Sequence, residues 1–166
     1  MKKSVFVFCV GLLLTTTLSA QSPIFEFTDF SSTTGLTLNG DAVSNVDNGT
    51  DASPVLRLAN RSLDQSGSVF TNSQVDIQQF RTDFCFRLTD SIPLSADGFT
   101  FTIHADPDGA SALGGAGGFL GFSNIDNSLT VQFDISKQAE DDSGNHVAIN
   151  INGNISSDLD ETAVSP

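Results

Sequence analysis

Four stretches of the chain alternate apolar and polar residues with period two. Phe84, Phe86 and Leu88 alternate with Cys85 and Arg87, and Phe99, Phe101 and Ile103 alternate with Thr100, Thr102 and His104. Leu129, Val131 and Phe133 alternate with Thr130, Gln132 and Asp134, and Val147, Ile149 and Ile151 alternate with Ala148, Asn150 and Asn152. Successive side chains on a strand point to opposite faces. The period therefore predicts strands with one apolar face to bury and one polar face left to solvent or to pairing. No stretch after residue 20 shows the spacing of an amphipathic helix. Turn formers stand between the runs: Asn39-Gly40-Asp41, Asn45 to Thr50, Asp106 to Gly109 and Asn152-Gly153-Asn154. Fourteen Phe with no Trp or Tyr predict a Phe-filled core. The fold expected is all-β, an antiparallel β-sandwich or jelly roll.

The first twenty residues have a different character. Lys2 and Lys3 precede an apolar run from Val5 to Leu14, and Leu18-Ser19-Ala20 offers a small-residue cleavage site. The run is short against the roughly 20 residues that span a bilayer. Residues 1–20 therefore read as a secretory signal peptide, and residues 21–166 as one domain of a secreted, extracellular protein. No second apolar segment follows, so no membrane insertion is expected.

Without residues 1–20, five Lys and Arg face twenty Asp and Glu, a net charge of −15. A surface this acidic repels nucleic acid and anionic membrane, and suits neutral hydroxyl-rich ligands or cations. It also suits a protein that the charge merely keeps dispersed. Cys85 is the one cysteine after residue 20, which excludes an intramolecular disulfide there. Its place in an apolar run predicts a buried, inert thiol.

Three segments could carry chemistry. Asp97 in "ADG" opens the strand "FTFTI". It is either a turn former or a carboxylate that accepts charge-assisted hydrogen bonds from ligand hydroxyls. "GGAGGFLG", residues 114–121, is either a plain loop or a place where the backbone approaches a ligand. It lacks the Lys-Ser/Thr of a phosphate loop. In "VQFDISKQAEDDSGNHVAIN", Gln138, Asp141 and His146 follow Asp134 at offsets of +4, +7 and +12. That stretch is either a solvated acidic loop or a set of oxygen ligands for calcium beside an imidazole for a transition ion. Sandwich glycosidases need paired carboxylates on a strand face. The glutamates Glu26, Glu140 and Glu161 lie near the chain ends or in the acidic loop, so no enzyme is expected.

Taken together, and in this order, these segments resemble the L-type (legume-type) lectins, whose fold is concanavalin A-like. "FEFTDFSSTTGLTLNGDAV", "VLRLAN", "GSVFTNSQVDI" and "FRTDFCFRLT" resemble the family's early strands, and "ADGFTFTI", "GGAGGFLGF" and "VQFDI…DDSGNHVAI" its central signature. The resemblance implies carbohydrate binding by Asp97, the Gly118 backbone and Gln138. It implies calcium held by Asp134, Ser136, Gln138 and Asp141, and a transition ion such as Mn2+ on His146. It also implies a glycan or polysaccharide partner and association of copies through flat sheet faces. Three positions depart from the pattern. Gln132 stands where the family has Glu, Gln138 where it has Asn, and Ser136 lacks the ring that stacks on a sugar. The family's last strands have no counterpart before Pro166, so the sandwich is expected to be incomplete there. The alternative expectation is a structural or adhesion module that has lost the sugar site and acts through protein contacts.

Overall fold

The computed structural model describes residues 23–47, 54–88, 97–137, 144–156 and 160–164. The signal peptide expected over 1–20 lies outside them, as do Gln138 and Asp141. The described residues form eight strands and two single-turn 3-10 helices. The strands are β1 (Leu36–Gly40), β2 (Val43–Val46), β3 (Val55–Arg57), β4 (Gly67–Thr71), β5 (Gly98–His104), β6 (Ser128–Asp134), β7 (His146–Ile151) and β8 (Asp160–Ala163). All pairing is antiparallel: β1 with β4, β2 with β3, and β5-β6-β7-β8 in one four-stranded sheet. The fold is all-β, as the alternation predicts.

Three of the four alternating runs are strands of the large sheet. Their register places whole rows side by side. Gly98, Asp134 and His146 form one row, Thr100, Gln132 and Ala148 the next, and Thr102, Thr130 and Asn150 the third. The opposite face carries the rows Phe99–Phe133–Val147, Phe101–Val131–Ile149 and Ile103–Leu129–Ile151. β-Branched and aromatic residues fill such pleated rows well. Phe99 and Phe133 stack with centroids 4.7 Å apart and rings 3° from parallel.

The burial of the two faces reverses the simplest expectation. The polar face is the sealed one: Thr130 and Asn150 are 0% exposed, and Gln132, Asp134, His146 and Ser128 are buried. Leu129, on the apolar face, is 45% exposed. The reason is the segment between β5 and β6, residues 105–127, which crosses the polar face. It brings the buried Ala112, Leu120, Phe122 and Ile125 against the sheet and bonds to it, with Thr100 Oγ1 donating to the Leu120 carbonyl at 3.5 Å and Ser128 Oγ to that of Ile125 at 2.7 Å. The β1–β4 pair closes over the segment. Ser68 Oγ donates to the Ala112 carbonyl at 2.6 Å, Asn39 Nδ2 to that of Ala110 at 2.9 Å, and the Phe70 ring meets His104 edge-on at 4.3 Å. Buried hydroxyls and amides are tolerable only when bonded, and Thr102 Oγ1 and Thr130 Oγ1 meet at 3.1 Å across the strands. Among the described residues Phe122 is the one buried Phe, so the core there is less Phe-rich than the composition predicts.

Residues 84–88 correct a second expectation. They form no strand. Instead Phe84 and Phe86 lay their rings on the apolar face, with Phe86 4.4 Å from Phe99 and Phe84 5.9 Å from Phe101, while both stay about half exposed. Cys85 points the other way and is exposed, not buried. Among the described residues no strand pairs with this run, yet period two still sorts its side chains, with Phe84 and Phe86 on the sheet and Cys85 exposed.

The turns fall largely where expected. Asn152 and Gly153, with φ of +53° and +63°, end β7, and Gly153 has no room for a side chain because Asn124 and Ile125 backbone nitrogens lie 2.5 Å from where its Cβ would stand. Gly109 N–H closes the Asp106 turn at 2.9 Å. Asn45 and Val46 belong to β2 instead of a turn, because β2 pairs there with β3 through Val46 and Val55.

Candidate functional site

The row Gly98–Asp134–His146 ends the large sheet, and the candidate residues gather at that end. Asp97 precedes β5 immediately, and its carbonyl accepts the Ile135 N–H at 2.8 Å, extending the β5–β6 ladder by one bond. Gly98 has φ of +155°, a conformation open in practice to glycine alone, and a Cβ there would collide with the Phe133 carbonyl oxygen. This glycine lets the strand close tightly while Asp97 leaves it toward the loop 114–121.

That loop is closed on itself. Gly114 N–H donates to the Gly121 carbonyl at 2.9 Å, Gly121 N–H to that of Gly115 at 2.9 Å, and Gly115 N–H to Ser123 Oγ at 3.1 Å. A Cβ on Gly114 would sit 2.6 Å from the Gly121 backbone, so side chains cannot be accommodated at this crossing. Gly117–Phe119 forms a 3-10 turn at its tip, capped by Leu120 in the left-handed region at φ +48°. Gly117 has φ of +63°, and Asp97 Oδ2 lies 3.8 Å from where its Cβ would stand. The carboxylate and the glycine turn thus converge at Gly117, one residue before the Gly118 that the resemblance implies. Burial raises the Asp97 carboxyl above the ordinary aspartate value. Phe119, at the same tip, is 48% exposed and offers an aromatic surface at the mouth. Gly117 and Phe119 do not stand out in the sequence, because a positive φ is not readable from a stretch with five glycines among residues 114–121.

On the other side of Asp97 stands the Asp134 group. Asp134 is buried, and its Oδ1 accepts the Ser136 N–H at 2.7 Å. His146 is directly across the ladder from Asp134 and is also buried, so it is no incidental histidine of a solvated loop. Its ring bonds diagonally to Gln132, with Nε2 of each 2.9 Å apart. An amide nitrogen can only donate, so His146 Nε2 is the acceptor and its ring proton belongs on Nδ1. Ala148, the residue opposite Gln132, is small enough to leave the amide this path.

Calcium and a transition ion fit these residues unequally. Asp134 is a hard carboxylate at the sheet's end with the Ser136 backbone next to it, a donor type that suits calcium. For a transition ion, Gln132 brings a neutral amide and engages the imidazole nitrogen itself. Among the described residues no three His, Cys, Asp or Glu side chains converge. Nor is any helix among them long and apolar enough to cross a membrane.

A model of the legume lectin domain matches residues 22–165, most of the chain. This chain therefore belongs to the legume lectin domain family, a family of carbohydrate-binding lectins.

Proposed function

We propose that the chain is a secreted, non-catalytic carbohydrate-binding domain with its sugar site at Asp97 and the Gly117–Phe119 turn. The observation that carries this reading is the approach of Asp97 Oδ2 to Gly117, 3.8 Å from a would-be Cβ. A carboxylate accepts two hydroxyl hydrogens of a diol, and a glycine turn lets the sugar reach the backbone, here that of Gly118. Each charge-assisted bond contributes roughly 1.5–3 kcal/mol. Calcium would be held by Asp134, the Ser136 carbonyl, Gln138 and Asp141, and when bound it fixes the loops around Asp97. Turnover is not expected, because the legume lectin domain family binds carbohydrate without cleaving it. The half-exposed apolar face beneath Phe84 and Phe86 is the surface for association with a second copy.

The test is a glycan array probed with the purified chain in calcium and again in chelator. Binding to a defined set of neutral glycans, weakened by the chelator, supports the reading. A folded chain that binds none of them replaces it with the second reading, a structural or adhesion module. That second reading draws on Gln132, Ser136 and Gln138, which each weaken the donor set or the sugar stack.

A further inference from the structure

We infer that the Gln132–His146 hydrogen bond stands in for a transition ion, so that β6 and β7 are tied together at this end of the sheet without one. A histidine ligates a metal through the lone pair of a neutral ring nitrogen. Here the Nε2 lone pair of His146 accepts the Gln132 amide at 2.9 Å. Both side chains are buried, at 5% and 1% exposure. Releasing the imidazole to a metal strands a buried amide donor, which costs stability that the metal would have to overcome. The amide also brings no charge to offset that of a divalent ion, and a neutral amide oxygen is a poor ligand for a borderline metal. The bond joins adjacent strands diagonally, from the Thr100–Gln132–Ala148 row to the Gly98–Asp134–His146 row, and so holds Asp134 in the row next to Asp97. The second metal position of the fold is thereby closed by a side-chain pair, while the calcium-type oxygens around Asp134 are left as they are.

The experiment is nitrogen NMR of the whole chain labelled at histidine, titrated with zinc, a diamagnetic ion that favours imidazole. His104 gives an internal reference, since it lies on β5 with Phe70 against its ring. In the wild-type chain the His146 resonances should report the Nδ1-protonated ring and stay in place at equimolar zinc. In Gln132→Glu, which supplies a charged oxygen at the same position, zinc should shift the His146 nitrogen signals. Zinc shifting His146 in the wild-type chain would overturn the inference. So would a Gln132→Glu chain as indifferent to zinc as the wild type, since the amide would then not be what closes the position. Neither readout depends on glycan binding, so the result stands apart from the lectin assay.

Discussion

Asp97 Oδ2 stands 3.8 Å from the position a Gly117 Cβ would take, and Gly117 has a φ of +63°. The glycine therefore meets two demands: a left-handed backbone and an open approach to the carboxylate. Gly117→Ala should cost roughly 1–2 kcal/mol of stability from the backbone alone. It should also weaken glycan binding by setting a methyl group in contact with Asp97, in the space a sugar held by both would occupy. Urea unfolding and a glycan titration on the same variant separate the two effects. A variant that keeps both stability and affinity would show that neither demand is real.

The sealing of the polar face of the sheet sets which apolar residues matter. Phe122 is 1% exposed under that face, whereas Leu129 on the opposite face is 45% exposed. Phe122→Ala should lose about 3–5 kcal/mol, the range for emptying a full aromatic site. Leu129→Ala should lose distinctly less. Denaturant midpoints at unchanged m-value check this, and equal losses would contradict the layer order.

His104 gives the fold an acid sensitivity. Burial lowers its pKa below the ordinary 6.5, while the Asp106 charge pulls the other way. Its Nδ1 also accepts the Asp106 N–H at 3.2 Å, a bond that needs the ring nitrogen unprotonated. The folded state thus binds this proton less readily than the unfolded one. The stability it contributes is complete above pH 6.5 and is lost as pH falls below that value through the lowered folded pKa. The melting temperature should fall across this window, and His104→Gln should flatten the fall. Identical pH profiles for the two chains would remove His104 from the account.

Cys85 is exposed on the outward side of residues 84–86. Cys85→Ser should change stability by no more than about 0.5 kcal/mol, as for other surface positions. It should also abolish any disulfide-linked dimer seen on a non-reducing gel. A larger loss in thermal unfolding would mean that the thiol packs.

The strands β5, β6 and β7 were legible in the sequence because period two is a local property that each run carries by itself. Which face is sealed was not, since that depends on residues 105–127 crossing back over Thr100, Thr102 and Thr130, and no local pattern encodes a crossing. The run at 84–88 shows the limit of the same signal: Phe84 and Phe86 do face the sheet, yet a strand also needs a backbone partner. At the site, Asp97 and the glycine loop were named from family resemblance, and the geometry brings them together. The link between Gln132 and His146 was out of reach, because it follows from a register that pairs Asp134 with His146 and puts Ala148 opposite Gln132. Gln138 and Asp141 fall outside the described residues.

The acidic end of the sheet gives the central claim its most direct measurement, a titration of the strongest array glycan into the wild-type chain and into Asp97→Asn at several pH values. The substitution keeps shape and removes charge. Affinity should drop about 10-fold or more, the equivalent of one charge-assisted bond of roughly 1.5 kcal/mol. Because burial raises the Asp97 carboxyl, wild-type binding should begin to fade on acidification above the ordinary aspartate value of 3.8, and the variant should lack that fade. Equal affinity for the two chains, with the same pH profile, would contradict the assignment of Asp97 as the sugar-binding carboxylate.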